Sequence, residues 1–230
     1  MAAEIIRINE NTWRIEDGGV RFFLLAGTEK ALLIDTGMTT VNAREIAQSL
    51  TDLPVGLLNT HSDRDHTAGN GAFEEVYMHP DEEAHYRESG GTGRILPVRE
   101  GDILDLGGRK LEIIALEGHT PGSIAVLDIA SRVLISGDSI QRNGRIFMFG
   151  AHRNMRKYRD SMLRLVKRMD SFDEVWPSHA DIPVSPALIP KLAEGAGKIL
   201  NGELTGTPVE FRVNTIRETD LGFTVMLCEA

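Results

Sequence analysis

The 230-residue chain has a single cysteine, Cys228, two residues from its end. No internal disulfide can form, and no set of thiolates is available for a structural zinc site. No apolar run approaches the length of a membrane span, so a membrane partner is not expected. No basic excess exists either: 25 Lys and Arg stand against 34 Asp and Glu, for a formal net charge of −9. That balance argues against a broad nucleic-acid surface. The basic residues that do cluster, between Arg153 and Arg168, follow helical spacing and read as a solvated helix face. The start, Met1 to Arg7, lacks a basic stretch followed by an apolar one, so no secretory signal and a cytoplasmic location are expected. No low-complexity linker interrupts the chain, and a single domain over 1–230 is expected.

What is present is an ordinary globular composition, 41% hydrophobic and 26% charged. Arg21–Asp35 reads as a hairpin around Gly27-Thr28-Glu29-Lys30. Apolar spacing predicts a helix over 41–50, a strand at Val55–Leu58 and a short helix over 81–87. A strand at Leu111–Leu116 precedes a hairpin of 123–127 and 132–135. Met155, Tyr158, Met162, Leu165, Val166 and Met169 make one stripe of a helix over 154–169. A strand at 174–176, a helix within 186–200 and strand-like runs over 209–227 follow. Hairpins with helices between them point to two sheets with helices outside. The order of elements also repeats. In each half an apolar strand ends at an Asp (Asp35, Asp138), a helix follows, and the next strand ends at a His (His61, His179).

The densest chemistry lies in His61-Ser62-Asp63-Arg64-Asp65-His66, where two imidazoles and two carboxylates fall within six residues. Such donors coordinate Zn, Fe and Mn. Three more donors stand where strands end: His119 in Gly118-His119-Thr120-Pro121-Gly122-Ser123, Asp138 behind Gly137, and His179 after Trp176-Pro177-Ser178. Side chains held on Gly- or Pro-rich turns at a sheet edge are rigidly placed yet reachable.

This ordered set, with Ile34-Asp35-Thr36-Gly37 near the start, closely resembles the signature of the metallo-β-lactamase-fold superfamily, and more its glyoxalase-II-like members than its antibiotic-degrading ones. The resemblance covers nearly the whole chain. It implies an α/β fold, a four-layer αββα sandwich of two mixed β-sheets flanked by helices, with two divalent metal ions at the sheet edge. Zn is the first expectation, with Fe or Mn as alternatives. Carried over, one metal takes His61, residue 63 and His119, and the other takes Asp65, His66 and His179. Asp138 bridges them, and a water or hydroxide on the metals attacks the substrate. Asp65 is also placed to receive a proton, and Asp35 to steady a ligand from behind. The implied activity is metal-dependent hydrolysis of a small ester, thioester, lactone or related substrate.

The chain departs from the pattern at Asp63, where most of the superfamily has His. Three readings stay open: Asp63 ligates as a carboxylate; it fails to, leaving one effective metal; or the protein is a degenerate member. An ionised Asp63 lowers the charge of the centre by one unit. That hardens the first site towards Fe or Mn and motivates a rival function, a non-hydrolytic diiron protein of oxygen or sulfur chemistry. For the substrate pocket, the segment after Asp138 offers Phe147 and Phe149 as apolar wall or lid, and Arg142, Arg145 or His152 for an anionic group. His79 and His85 read as structural or surface histidines. Oligomeric state is not legible.

Overall fold

The computed structural model describes residues 3–212 and 214–229. The first seven strands form one sheet in chain order: β1 (Glu4–Asn9), β2 (Thr12–Asp17), β3 (Val20–Ala26), β4 (Ala31–Ile34), β5 (Val55–Leu58), β6 (Glu75–Met78) and β7 (Arg94–Pro97). Pairing is antiparallel up to β4 and parallel from β4 to β7. Helices α1 (Ala43–Leu50) and α2 (Glu83–Glu88) belong to this half. The second sheet contains β8 (Ile103–Asp105), β9 (Lys110–Ala115), β10 (Ile124–Asp128), β11 (Val133–Gly137) and β13 (Glu174–Pro177), in the order β13-β11-β10-β9-β8. Strand β12 (Arg145–Met148) lies elsewhere. Helices α3 (Met155–Val166) and α4 (Leu188–Leu200) complete the second half.

Strand alternation explains the layering. Along β3, Phe23 and Leu25 enter one core while Phe22, Leu24 and Ala26 enter another, as the two-residue period of a strand requires. Strand β10 divides likewise: Ile124 and Val126 face the first sheet, and Ala125 and Leu127 face away. The shared core, with Phe23, Leu32, Ile34, Leu58, Ile113, Val126 and Ile135, sits between the two sheets. Ala43, Ala47 and Tyr86 of α1 and α2 pack on the outer face of the first sheet. Tyr158, Met162 and Leu165 of α3, with Ile189, Leu192 and Ala196 of α4, pack on the outer face of the second. This is the expected αββα sandwich.

The repeat read from the sequence is real in three dimensions. β4 and β5 pair in parallel across α1, and β11 and β13 pair in parallel across α3. Each half thus ends its strands at the same edge.

A third sheet was not anticipated. β12 pairs in parallel with β16 (Val225–Glu229), which continues antiparallel to β15 (Asn214–Asp220) and β14 (Thr207–Phe211). Only the tail's strand-like alternation pointed to it, because β12 lies some eighty residues from its partner strand. The basic segment near α3 splits between two roles. Arg164 and Arg168 pair with Glu117 and Glu112 on the surface, while Arg153 turns towards the sheet edge.

Leu58 is fully buried between the sheets just before the His61 segment. Leu58→Ala is expected to cost about 2–5 kcal/mol, read as a lowered denaturation midpoint with an unchanged slope in urea.

Candidate metal centre

The four histidines arrive from three loops at the sheet edge, and each is fixed from behind through Nδ1. His66 Nδ1 lies 2.9 Å from Asp35 Oδ2. His119 Nδ1 lies 3.0 Å from the Phe147 carbonyl, and His179 Nδ1 lies 2.8 Å from the Gly19 carbonyl. A carbonyl can only accept, so both rings carry their proton on Nδ1. For His61 the partner is Thr60 Oγ1 at 3.0 Å. That hydroxyl already donates to Asp35 Oδ2, so its oxygen accepts from His61. All four rings therefore turn an unprotonated Nε2 inward when neutral. The buried Nε2 atoms of His61, His66 and His119, and Oδ1 of Asp138, make no hydrogen bond. Buried donors left bare and convergent are the signature of a group that binds there.

Of three donor sets that could hold a metal ion, His85, Glu88 and His152 form one; the two at the sheet edge are Asp65, His66, Asp138 and His179, and His61, His119 and Asp138. Asp138 is common to both. Its Oδ1 lies 3.2 Å from His66 Nε2 and 3.3 Å from His179 Nε2, while its Oδ2 lies 3.6 Å from His119 Nε2. Asp65 Oδ2 is 3.3 Å from His179 Nε2. Asp63 Oδ2 is 3.3 Å from His119 Nε2 and 3.5 Å from His61 Nε2. It also accepts from the Arg153 guanidinium, and its Oδ1 lies 3.1 Å from His85 Nε2.

Without metal, the carboxylates and imidazoles act on one another. Burial disfavours charge on Asp138, but His179 and His66 outweigh that and hold its carboxyl well below the usual range. Burial likewise opposes a proton on His179, yet Asp138 and Asp65 push its pKa up to about 10. At His119 burial dominates, Arg153 adds to it, and the pKa falls.

The local backbone explains the placement. Gly118 has φ +133°, and a Cβ there would lie 2.3 Å from the backbone of Tyr158, so only glycine lets the His119 turn rest on α3. Tyr158 in turn donates to the Ser139 carbonyl at 2.7 Å, which braces the segment carrying Asp138. Asp35 holds Thr60 through both its backbone N–H and its hydroxyl, as well as His66.

Three further residues had no sequence signal. Glu82 is wholly buried and accepts from Ser62 N, Ser62 Oγ and Gly122 N, stapling the His61 loop to the His119 loop. Arg21 donates to the Pro177 and Ala180 carbonyls, clamping the turn that carries His179. His85, read as structural or surface, touches Asp63. A lone Glu, Arg or His outside any motif looks like any other, and only proximity sets these apart. His79 merely accepts from Asp81 N.

A cavity of about 820 Å³ opens over the centre, lined by Asp63, Asp65, His119, Asp138, Phe147 and His179 among others. The Phe147–Phe149 run splits by strand alternation: Met148 is buried in the core, while Phe147 and Phe149 form a ring cluster with Phe211. Arg142 is exposed beside Asp181, and His152 lies against His85 with ring centroids 4.4 Å apart and planes tilted by 44°.

Comparison with known proteins now decides the family. The sequence pattern of the Metallo-beta-lactamase superfamily matches residues 15–171. The chain belongs to that superfamily. It is an enzyme of this family, whose members generally bind divalent metals. Among curated relatives it is 27% identical over 197 residues to the acyl-coenzyme A thioesterase MBLAC2 of Gallus gallus, spanning 68% of this chain and 71% of that protein. It is 29% identical over 143 residues to the hydroxyacylglutathione hydrolase of Gloeobacter violaceus, spanning 60% and 55%. A metallo-beta-lactamase from Pontibacter korlensis shares the fold, with a TM-score of 0.72 at 20% identity over 84% of this chain and 99% of that one. Among the described residues no helix is long and apolar enough to cross a membrane.

Because the ligand set keeps a proton on His179 up to about pH 10 in the metal-free protein, metal uptake must displace it. Apparent metal affinity is therefore expected to fall as pH drops below 10, by about tenfold per unit for each proton displaced. Calorimetric titration in buffers of different ionisation heat counts the protons released.

Proposed function

We propose that the protein is a metal-dependent hydrolase of a small thioester or related acyl substrate. The observation that carries this reading is the set of four imidazoles, each locked through Nδ1, with Nε2 of His66, His119 and His179 within 3.6 Å of Asp138 and Nε2 of His61 3.5 Å from Asp63. His61, Asp63 and His119 would hold one divalent metal, and Asp65, His66 and His179 the other, with Asp138 common to both. Zinc fits the imidazole-rich set, and Fe or Mn could also be held. Bound there, such metals supply Lewis acidity towards the acyl oxygen and lower the pKa of a water.

The chain's own residues supply the rest. Asp65 lines the cavity and is a third exposed. Burial disfavours its charge, but the contact with His179 outweighs this and keeps it ionised. It is thus placed to orient water and to receive its proton. Asp35 fixes His66 and the Thr60–His61 segment, holding donors in place before substrate arrives. Phe147, Phe149 and Phe211 offer an apolar wall for an acyl group. Arg64, Arg145 and Arg212 line the same mouth and suit an anionic carrier; Arg142 and His152, expected there from the sequence, do not line it. The relatives named for thioester hydrolysis support the choice of bond to be cleaved.

Asp138→Ala and His179→Ala are expected to lose metal and, with it, hydrolysis across a panel of thioesters and lactones. Unchanged turnover in a metal-free variant would overturn the proposal. Asp65→Asn is expected to lower kcat by about 10²–10⁴-fold, followed by steady-state kinetics on the panel's best substrate.

A further inference from the structure

The Asp63 carboxylate stands where a neutral imidazole would leave the centre one unit more positive. Its surroundings restore that unit. The Arg153 guanidinium donates to Oδ2, the same oxygen that faces His61 and His119. Arg153 is itself largely buried, with side-chain exposure of 14%, and its Nε makes no hydrogen bond. A buried guanidinium held against one carboxylate is a pair in which each charge depends on the other. The other oxygen, Oδ1, meets His85 Nε2 at 3.1 Å.

Both partners are delivered by elements that also carry the ligand loops. Asn154 caps α3, accepting from Lys157 N, and its own N–H donates to the Gly118 carbonyl beside His119. Arg153, one residue earlier, is thereby fixed over Asp63. His85 lies on α2, one turn after Glu82, which bonds the backbone N–H of Ser62. His152 packs against His85 at a tilt of 44°, so the two approaches to Asp63 touch one another.

We infer that Arg153 and His85 are positioning residues that convert Asp63 into the charge equivalent of a neutral first-site ligand. Arg153 supplies the compensating charge, and His85 fixes the carboxylate plane so that Oδ2 stays between His61 and His119. Asp63 and Arg153 are one functional unit: removing Asp63 strands a buried cation, and removing Arg153 leaves the first site one unit more negative.

The inference rests on the metal-centre reading but not on the choice of substrate. The test is zinc affinity rather than activity. Metal-free wild type, Asp63→His, Arg153→Met and the double variant are titrated with zinc against a chromophoric chelator, at one pH. Wild type is expected to bind two zinc ions per chain. Asp63→His strands the guanidinium beside a cation and should weaken the first zinc at least tenfold, whereas the double variant should recover to within about threefold of wild type. Arg153→Met alone should tighten the first zinc severalfold, because Asp63 then faces the metal without a competing cation. The second zinc, held by Asp65, His66 and His179, should be unchanged throughout and reports an intact fold. If Asp63→His loses both ions together, Arg153→Met decides alone. Equal first-zinc affinity in Asp63→His and the double variant, or in wild type and Arg153→Met, overturns the inference. Wild type binding no zinc overturns the metal-centre reading with it.

Discussion

Four imidazoles can share one small volume only if each is denied its freedom to rotate. That constraint organises the molecule. The acceptors that hold the Nδ1 atoms, Asp35, Thr60 and the carbonyls of Gly19 and Phe147, belong to distant parts of the chain. Gly19 lies in the turn between β2 and β3, and Phe147 lies on β12 of the third sheet. A histidine ring therefore reports on whether both sheets and the extra strand are in place. Folding and construction of the centre are the same event, and the apolar core between the sheets positions donors that it never touches.

Charge is managed with equal economy. Asp138, Asp65 and Asp63 are brought together with imidazoles at distances that would be repulsive among the carboxylates alone. Protons on His66 and His179 relieve this in the metal-free protein, and a metal relieves it when bound. Asp63 has an additional partner in Arg153. The unit of negative charge that favours an iron centre on sequence grounds is thus offset by a guanidinium, and the motive for the redox reading is correspondingly reduced. The same arginine draws its geometry from the Gly118 turn and from the cap of α3, so first-site chemistry is tied to the packing of a helix.

The mouth of the site follows from strand alternation rather than from a separate lid. Met148 descends into the core while Phe147 and Phe149 stay at the surface beside Phe211. The carbonyl of Phe147 meanwhile holds His119. One short strand thus combines wall, core and ligand support, which leaves little room for the wall to move independently of the metal donors.

The sequence by itself determined the types of the candidate donors, their order and their place at strand ends. These are local properties: a His-Asp cluster, glycine turns and apolar runs are legible wherever they fall. It also carried the two-sheet sandwich, because periodicity is local, and the βαβ repeat, because the order of elements is written along the chain. Tertiary structure alone decided that Glu82 staples two loops, that β12 joins β16, and that Arg153 and His85 take hold of Asp63. Arg153 sits in a run of basic residues and His85 on an unremarkable short helix, so neither carries a mark in one dimension. Their meaning is a Coulombic and hydrogen-bonding relation across 22 and 90 residues, and such relations exist only once the chain has folded.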